Sequence, residues 1–173
     1  MEYFILQQDS RIGNTIHLPI HSLLSYADYC NYILDSLPRM TVITREGSKF
    51  EQYPDIFSTL FLVSEKLNEV ISIFTNKIDY KLFCFVDHQK DMPYYYYAYM
   101  LPGVPCLSDK SIISNGGTVV SKLVICRKTI GDQDIVRVDG IEYPLVLVSL
   151  PVAEAILRRN YKGIRLLEIY YDD

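Results

Sequence analysis

The chain has 173 residues, a formal net charge of −4, 49% hydrophobic and 22% charged residues. That length suits one domain, and the ordinary globular composition excludes a low-complexity or disordered chain. A mildly acidic chain whose longest basic pair is Arg158–Arg159 lacks the basic stripe that phosphate backbones demand, so no nucleic-acid partner is expected.

The first residues, MEYFILQQDSR, hold an apolar run of only Tyr3 to Leu6 behind Glu2. A secretory signal needs a basic start and roughly 7–15 apolar residues, and a membrane span roughly 20. A cytoplasmic protein without membrane association is therefore expected. Cys30, Cys84, Cys106 and Cys126 have no close pair among them and are expected as free thiols.

Tyr3–Gln7 predicts a first strand. Leu23, Ala27, Cys30, Leu34 and Leu37 then recur at spacings of three and four, predicting a helix capped by Ser22 and stopped by Pro38. Met40–Thr44 predicts a β-branched strand before a turn at Gly47. Residues 1–54 are expected as an N-terminal lobe, and residues 55–173 as a β-rich lobe of the same single domain.

The second lobe contains an internal repeat. LVSEKLNEVISIFTNKIDYKLFCFVD, Leu62 to Asp87, aligns without a gap on LVSLPVAEAILRRNYKGIRLLEIYYD, Leu147 to Asp172. Identities include Leu62/Leu147, Val63/Val148, Ser64/Ser149, Glu69/Glu154, Ile71/Ile156 and Leu82/Leu167. Each copy reads as an extended entry, a serine-capped helix and a strand. The predicted buried faces are Leu67, Val70, Ile71 and Phe74 in the first helix, and Val152, Ala155, Ile156 and Leu157 in the second. Pro151 fits a first helical turn, which has no amide hydrogen bond to lose. The strands are Tyr80–Val86 and Ile164–Tyr171.

Between the copies, YYYYAYML pairs with Tyr80–Val86 as an antiparallel hairpin, Val119–Cys126 is a strand, and DIVRVDGIEYPLVLVS is a hairpin turning at Asp139–Gly140. The whole predicts an α+β fold: a largely antiparallel sheet packed by two or three helices, with the helix–strand repeat built in.

Candidate chemistry is sparse. His17 and His21 have the spacing of metal ligands on one helical turn, but Pro19 lies between them, and His88 sits in a polar link. Cysteine pairs with zinc spacing and the GxSxG, GxGxxG and Walker motifs are absent. SNGGTVV precedes a strand, where no helix N-terminus would receive a phosphate. No catalytic residue, metal ligand or cofactor is assigned, and a non-enzymatic role is expected.

Tyr94, Tyr95, Tyr96, Tyr97 and Tyr99 crowd one predicted strand. Alternation puts Tyr94, Tyr96, Ala98 and Met100 on a core-like face and Tyr95, Tyr97, Tyr99 and Leu101 on the other. The second face would display three tyrosines, a side chain favoured at protein interfaces for its contact area and few torsions. The competing reading is that tyrosine is simply a good strand former and both faces are covered.

Two stretches, YYYYAYMLPGVPCLSDKSI and DIVRVDG…YPLVLVSLPVAEAILRRNYKGIRLLEI, together with the earlier LVSEKLNEVI, make residues 55–171 resemble immunity protein family eleven of bacterial polymorphic toxin systems. The family's Cys-Leu-Asp segment with its later serine corresponds to Cys106, Leu107, Asp109 and Ser111. This chain departs from the pattern at Ser108, an insertion, at Val136, where phenylalanine is usual, and at Pro151, where an acidic residue is preferred. The resemblance implies a cytosolic protein that binds and neutralises a cognate toxin domain stoichiometrically. With the tyrosine face it makes Tyr95, Tyr97, Tyr99 and Asp109 the candidate partner-binding residues. Two other readings stand beside it. One is an enzyme or small-ligand binder with a pocket between the lobes, lined by tyrosines with Asp109, Lys110 or His88. The other is a structural module that associates with itself through sheet edges. The oligomeric state is left open.

Overall fold

In the computed structural model, residues 1–13, 15–25, 28–29, 32–46, 51–75, 78–114 and 119–172 are described, with the side chains of Ile20, His21 and Val119 left aside. The fold is α+β, built mostly of antiparallel strands. In chain order the elements are β1 (Tyr3–Gln8), α1 (Ile20–Leu23), β2 (Met40–Arg45), β3 (Ile56–Phe57), β4 (Leu62–Ser64) and α2 (Glu65–Phe74). Then come β5 (Tyr80–Asp87), β6 (Met92–Tyr99), β7 (Gly103–Val104), β8 (Ile112–Ser114), β9 (Val119–Lys122), β10 (Val124–Ile125) and α3 (Arg127–Ile130). The chain closes with β11 (Ile135–Val138), β12 (Val146–Ser149), α4 (Leu150–Leu157), β13 (Ile164–Glu168) and β14 (Tyr170–Tyr171).

The repeat becomes two versions of one topology. The first sheet runs β2-β5-β6-β4-β3 and the second β13-β1-β12-β11-β7. In each, the two strands of a repeat copy flank a third strand antiparallel to both: β6 lies between β4 and β5, and β1 between β12 and β13. Each copy is thus a split β-α-β unit. The gapless sequence alignment slips by one residue. Ala98 is opposite both Leu62 and Lys81, whereas Ile5 is opposite both Leu147 and Leu167. Leu167 therefore occupies the place of Lys81, not of Leu82.

This topology corrects the expected lobes. β1 pairs with the second copy and β2 with the first, so residues 1–54 supply strands to both sheets instead of forming a lobe of their own. The strand that fills the second split comes from the far end of the chain, a pairing that local pattern does not encode.

Of the helix expected from Ser22 to Leu37, the described residues show α1 and, separately, helical backbone at Asp28 and Tyr29; Ser22 Oγ donates to Pro19 O, just ahead of α1. Leu24, Leu34 and Leu37 are nevertheless buried; Ala27 and Cys30 lie outside the described residues. Tyr32 has φ 53°, which a regular helix excludes, and its hydroxyl donates to Leu60 O and Tyr99 O. Tertiary anchoring of Tyr32 overrides the local spacing. The turn expected at Gly47 also lies outside the described residues.

One core spans both units. It joins Leu67, Val70 and Ile71 of α2 with Val152, Ala153 and Ile156 of α4, Leu6 and Val146 of the second sheet, and Phe83, Phe85 and Tyr96 of the first. Burial of each such large side chain contributes about 1.5–3 kcal/mol. The expected face of α4 is rotated: Ala153 is buried, while Leu157 is 72% exposed. A second core, on the far side of the second sheet, gathers Tyr3, Cys106, Ile125, Val136 and Leu147.

The expected strand over Val119–Cys126 divides into β9 and β10, and the end of the expected strand Ile164–Tyr171 separates as β14, parallel to β10. The hairpin through Asp139–Gly140 forms, with Gly140 at φ 82° and Val138 N–H bonded to Leu145 O. Gly163, φ 71°, turns the chain into β13 where a Cβ would stand 2.8 Å from Pro54.

Candidate functional site

Strand β6 carries the tyrosines, and its register fixes what each one meets. Tyr96 and Ala98 point into the main core with Phe83 and Phe85 of β5, as alternation predicts. Tyr96 donates to Pro54 O at 2.7 Å, and its ring sits edge-on to Phe85. Burial pushes its hydroxyl pKa up. Tyr94 completes this side, stacked at 3.7 Å on Tyr53.

The other side changes character along the strand. Helix α2 packs over β4 and β6 at the Tyr99 end, and the Tyr99 hydroxyl donates to Asn68 Oδ1 at 2.6 Å. Tyr99 is only 2% exposed, so of the three tyrosines expected on display it belongs to the core. Tyr97 is half-buried; burial, and next the charge of Glu65, raise its pKa. Tyr95, beyond the reach of α2, is 39% exposed.

Pairing extends this open end into a three-strand apolar lattice. Met40, Leu82 and Tyr97 form one row, Val42, Cys84 and Tyr95 the next, and Thr44, Val86 and Pro93 the third. Met40 and Val42 are about half exposed, at 51% and 54%. Successive residues of a strand alternate faces, and on β2 the alternate positions Thr41 and Ile43 turn inward. Among the described residues the second sheet has no strand in the place of β2, so the lattice belongs to the first copy. Single exposed apolar side chains are unremarkable on a protein surface; a contiguous apolar lattice marks an interaction site.

At one end of the lattice Met40, Leu82 and Tyr80 join Arg39, Ile78 and Asp79 around a cleft of about 460 Å³. Tyr80 packs edge-on to both Tyr97 and Tyr99. At the other end the β5–β6 hairpin is pinned by Asp87, fully buried, which accepts from Tyr53 Oη, Gln89 N and Lys90 N. Burial raises the Asp87 pKa, but these hydrogen bonds and the Lys90 charge outweigh it and hold the carboxyl below its ordinary value.

Asp109 is placed elsewhere. It is exposed in the turn between β7 and β8, and no contact among the described residues links it to Tyr95 or Tyr97. Its neighbours have structural duties. Cys106 is fully buried, which pushes its thiol up to about 11. Ser111 donates to Val124 O and accepts from Val124 N. Ser108 and Lys110 both bind the Asp172 carboxylate, which Lys110 first and Ser108 second hold below its ordinary range. The segment that resembles Cys-Leu-Asp with a later serine is therefore a clamp between the chain terminus and β10.

The pocket expected between two lobes has no such lobes to separate, and Asp109, Lys110 and His88 line none of the clefts formed by described residues at Ile5–Tyr170, Gln7–Thr59 and Arg39–Leu82. Cys84, Cys106 and Cys126 are free thiols; Cys30 lies outside the described residues. Among the described residues no three His, Cys, Asp or Glu side chains converge on a metal position. No described helix is long and apolar enough to cross a membrane.

Sequence reasoning found the strand and its two faces. It missed Met40, Val42, Leu82 and Cys84, whose signal was present: Leu82–Val86 is an unbroken apolar run, and a strand apolar on both sides is either buried twice or partnered. Compared with known proteins, the chain matches no protein-family model and no curated protein.

Proposed function

We propose that the chain is a protein-binding module, an immunity protein that seats a cognate bacterial toxin domain on the outward face of β2, β5 and β6 and neutralises it by occupancy. The observation that carries this reading is the apolar lattice of Met40, Val42, Leu82, Tyr95 and Tyr97, with the buried Cys84 between them, on a sheet whose opposite face is core. Hot spots of interfaces are aromatic anchors set in a rigid surround. Tyr95 has that position: Val42 and Cys84 lie in its own row, and the strand is held from beneath by Tyr96.

The resemblance of residues 55–171 to immunity protein family eleven names the kind of partner. An inhibitor of this kind works in the cytosol without turnover. It needs a stiff surface and fast association more than it needs chemistry. The net charge of −4 favours encounter with a basic toxin domain, because long-range attraction raises association rates more than it raises final affinity.

The test is co-purification. The tagged chain is expressed with the C-terminal domain of the large secreted protein encoded beside its gene, and the complex is sized. A one-to-one complex that suppresses the toxicity of that domain supports the reading. Two folded partners that do not associate at micromolar concentration overturn it.

A further inference from the structure

A cleft of about 280 Å³ opens between the outer face of the second sheet and the segment Val120–Leu123, which includes most of β9. Its floor is apolar, made by Ile5, Leu145 and Leu167. Ile5 and Leu167 are directly opposite each other across β1 and β13, so both project from the same face. Gln7 follows Ile5 on that face.

Three polar side chains of the lining, Lys122, Tyr143 and Gln7, can donate hydrogen bonds. Lys122 lies on the β9 wall, its Nζ 5.5 Å from the centre of the Tyr170 ring, and it has no ion-pair partner among the described residues. The Tyr143 hydroxyl has no hydrogen-bond partner among the described residues, and burial raises its pKa, so it remains a protonated donor at neutral pH. The Gln7 amide supplies further N–H groups. Glu168 also lines the cleft and is exposed; its strand position alternates with that of Leu167, so it is not part of the apolar floor. The lining thus carries one cation, Lys122, and one carboxylate, Glu168.

An apolar floor ringed by an ammonium, a phenol and an amide complements one chemical class. We infer that this cleft binds a small apolar carboxylate, its ring or branched chain on Ile5, Leu145 and Leu167 and its carboxylate at Lys122, Tyr143 and Gln7. The volume lies at the small end of ligand pockets, which run roughly 300–1,000 Å³, and limits the ligand to a single ring or a short branched chain. The site is independent of the toxin-binding reading, which concerns the other sheet.

Titration calorimetry on the whole protein tests it, with phenylacetate and 3-methylbutanoate as acids and phenylacetamide as the neutral isostere. Saturable binding of at least one acid is expected. Phenylacetamide should bind about tenfold to hundredfold more weakly than phenylacetate, the worth of a charge-assisted hydrogen bond. Lys122→Gln should erase that difference by weakening the acid and sparing the amide. Tyr143→Phe should weaken the acid severalfold. Both variants should keep the wild-type thermal transition, since Lys122 is exposed and Tyr143 retains its ring. Three results overturn the assignment: no saturation by either acid up to about 10 mM, well above the millimolar affinities of weak ligands, equal affinity for acid and amide, or an acid affinity unchanged by Lys122→Gln.

Discussion

The hydroxyl of Ser149 donates to Oδ1 of Asp134 at 2.5 Å, and the Ser149 amide donates to the Asp134 carbonyl at 2.8 Å. Ser64 makes the same two bonds to Asp55, at 2.5 and 2.9 Å. Each serine ends the first strand of a repeat copy, and each aspartate precedes the strand beside it. The repeat thus reaches back to Asp55-Ile-Phe and Asp134-Ile-Val, beyond the stretch that aligns without a gap. The helix cap diverges. Ser64 Oγ accepts from Leu67 N at 3.2 Å, whereas Ser149 makes no side-chain cap, and Pro151 removes one donor from that turn.

Ser149 is fully buried, so Ser149→Ala leaves the Asp134 carboxylate short of a donor at a site with little access to water. The expected loss is about 1–3 kcal/mol. Ser64→Ala removes a helix cap together with the same aspartate bond and should cost a comparable amount. Urea denaturation of both variants checks this. Wild-type midpoints for both would mean that the paired Asp–Ser contacts are ornaments of the duplication and not part of its stability.

Tyrosines on one strand face should separate sharply. Tyr99→Ser removes a buried ring and the bond to Asn68, at an expected cost of about 3–5 kcal/mol. Tyr95→Ser should cost less than about 1 kcal/mol, as surface substitutions do. Thermal melts of the two variants measure the difference, and equal losses would remove the distinction drawn between core and display.

Acid sensitivity should pass through Asp87. Its folded-state pKa is depressed, so its contribution is complete above the ordinary carboxylate value of about 3.9 and is lost as pH falls through the folded value. The wild type should lose stability steeply below about pH 4. Asp87→Asn should be less stable at pH 7 and show a shallower acid limb, the remainder coming from Asp9 and Asp172, which are also held low. Denaturation midpoints across pH 3–7 test this; an unchanged acid limb in the variant would show that Asp87 is not the group.

What could be read from residues alone follows the distance over which information acts. Alternation in YYYYAYML and the three-to-four spacing in EKLNEVISIF are local, and β6 and α2 appear where expected. So does the Leu-Val-Ser repeat. The insertion of β1 between β12 and β13 is a pairing of chain ends, and nothing in FILQQ specifies it. The Asp134–Ser149 bond is hidden from a gapless alignment because the β11–β12 hairpin is longer than its β3–β4 counterpart, with 15 positions from Asp134 to Ser149 against 9 from Asp55 to Ser64. Alternation separates Tyr96 from Tyr95, Tyr97 and Tyr99, yet coverage of Tyr99 by α2 depends on where that helix crosses the sheet. Asp109 rests on a resemblance, and its neighbours Ser108 and Lys110 bind Asp172, far from β6 in the chain's pairing.

The most direct test of the central proposal is the affinity of the toxin domain for wild type and for Val42→Asp combined with Tyr95→Ser, measured by calorimetry on variants that melt within a few degrees of wild type. A charge placed in the lattice and loss of its aromatic anchor should weaken binding at least a hundredfold, about 2.7 kcal/mol. Binding that survives both substitutions unchanged would contradict the assignment of this face as the interface.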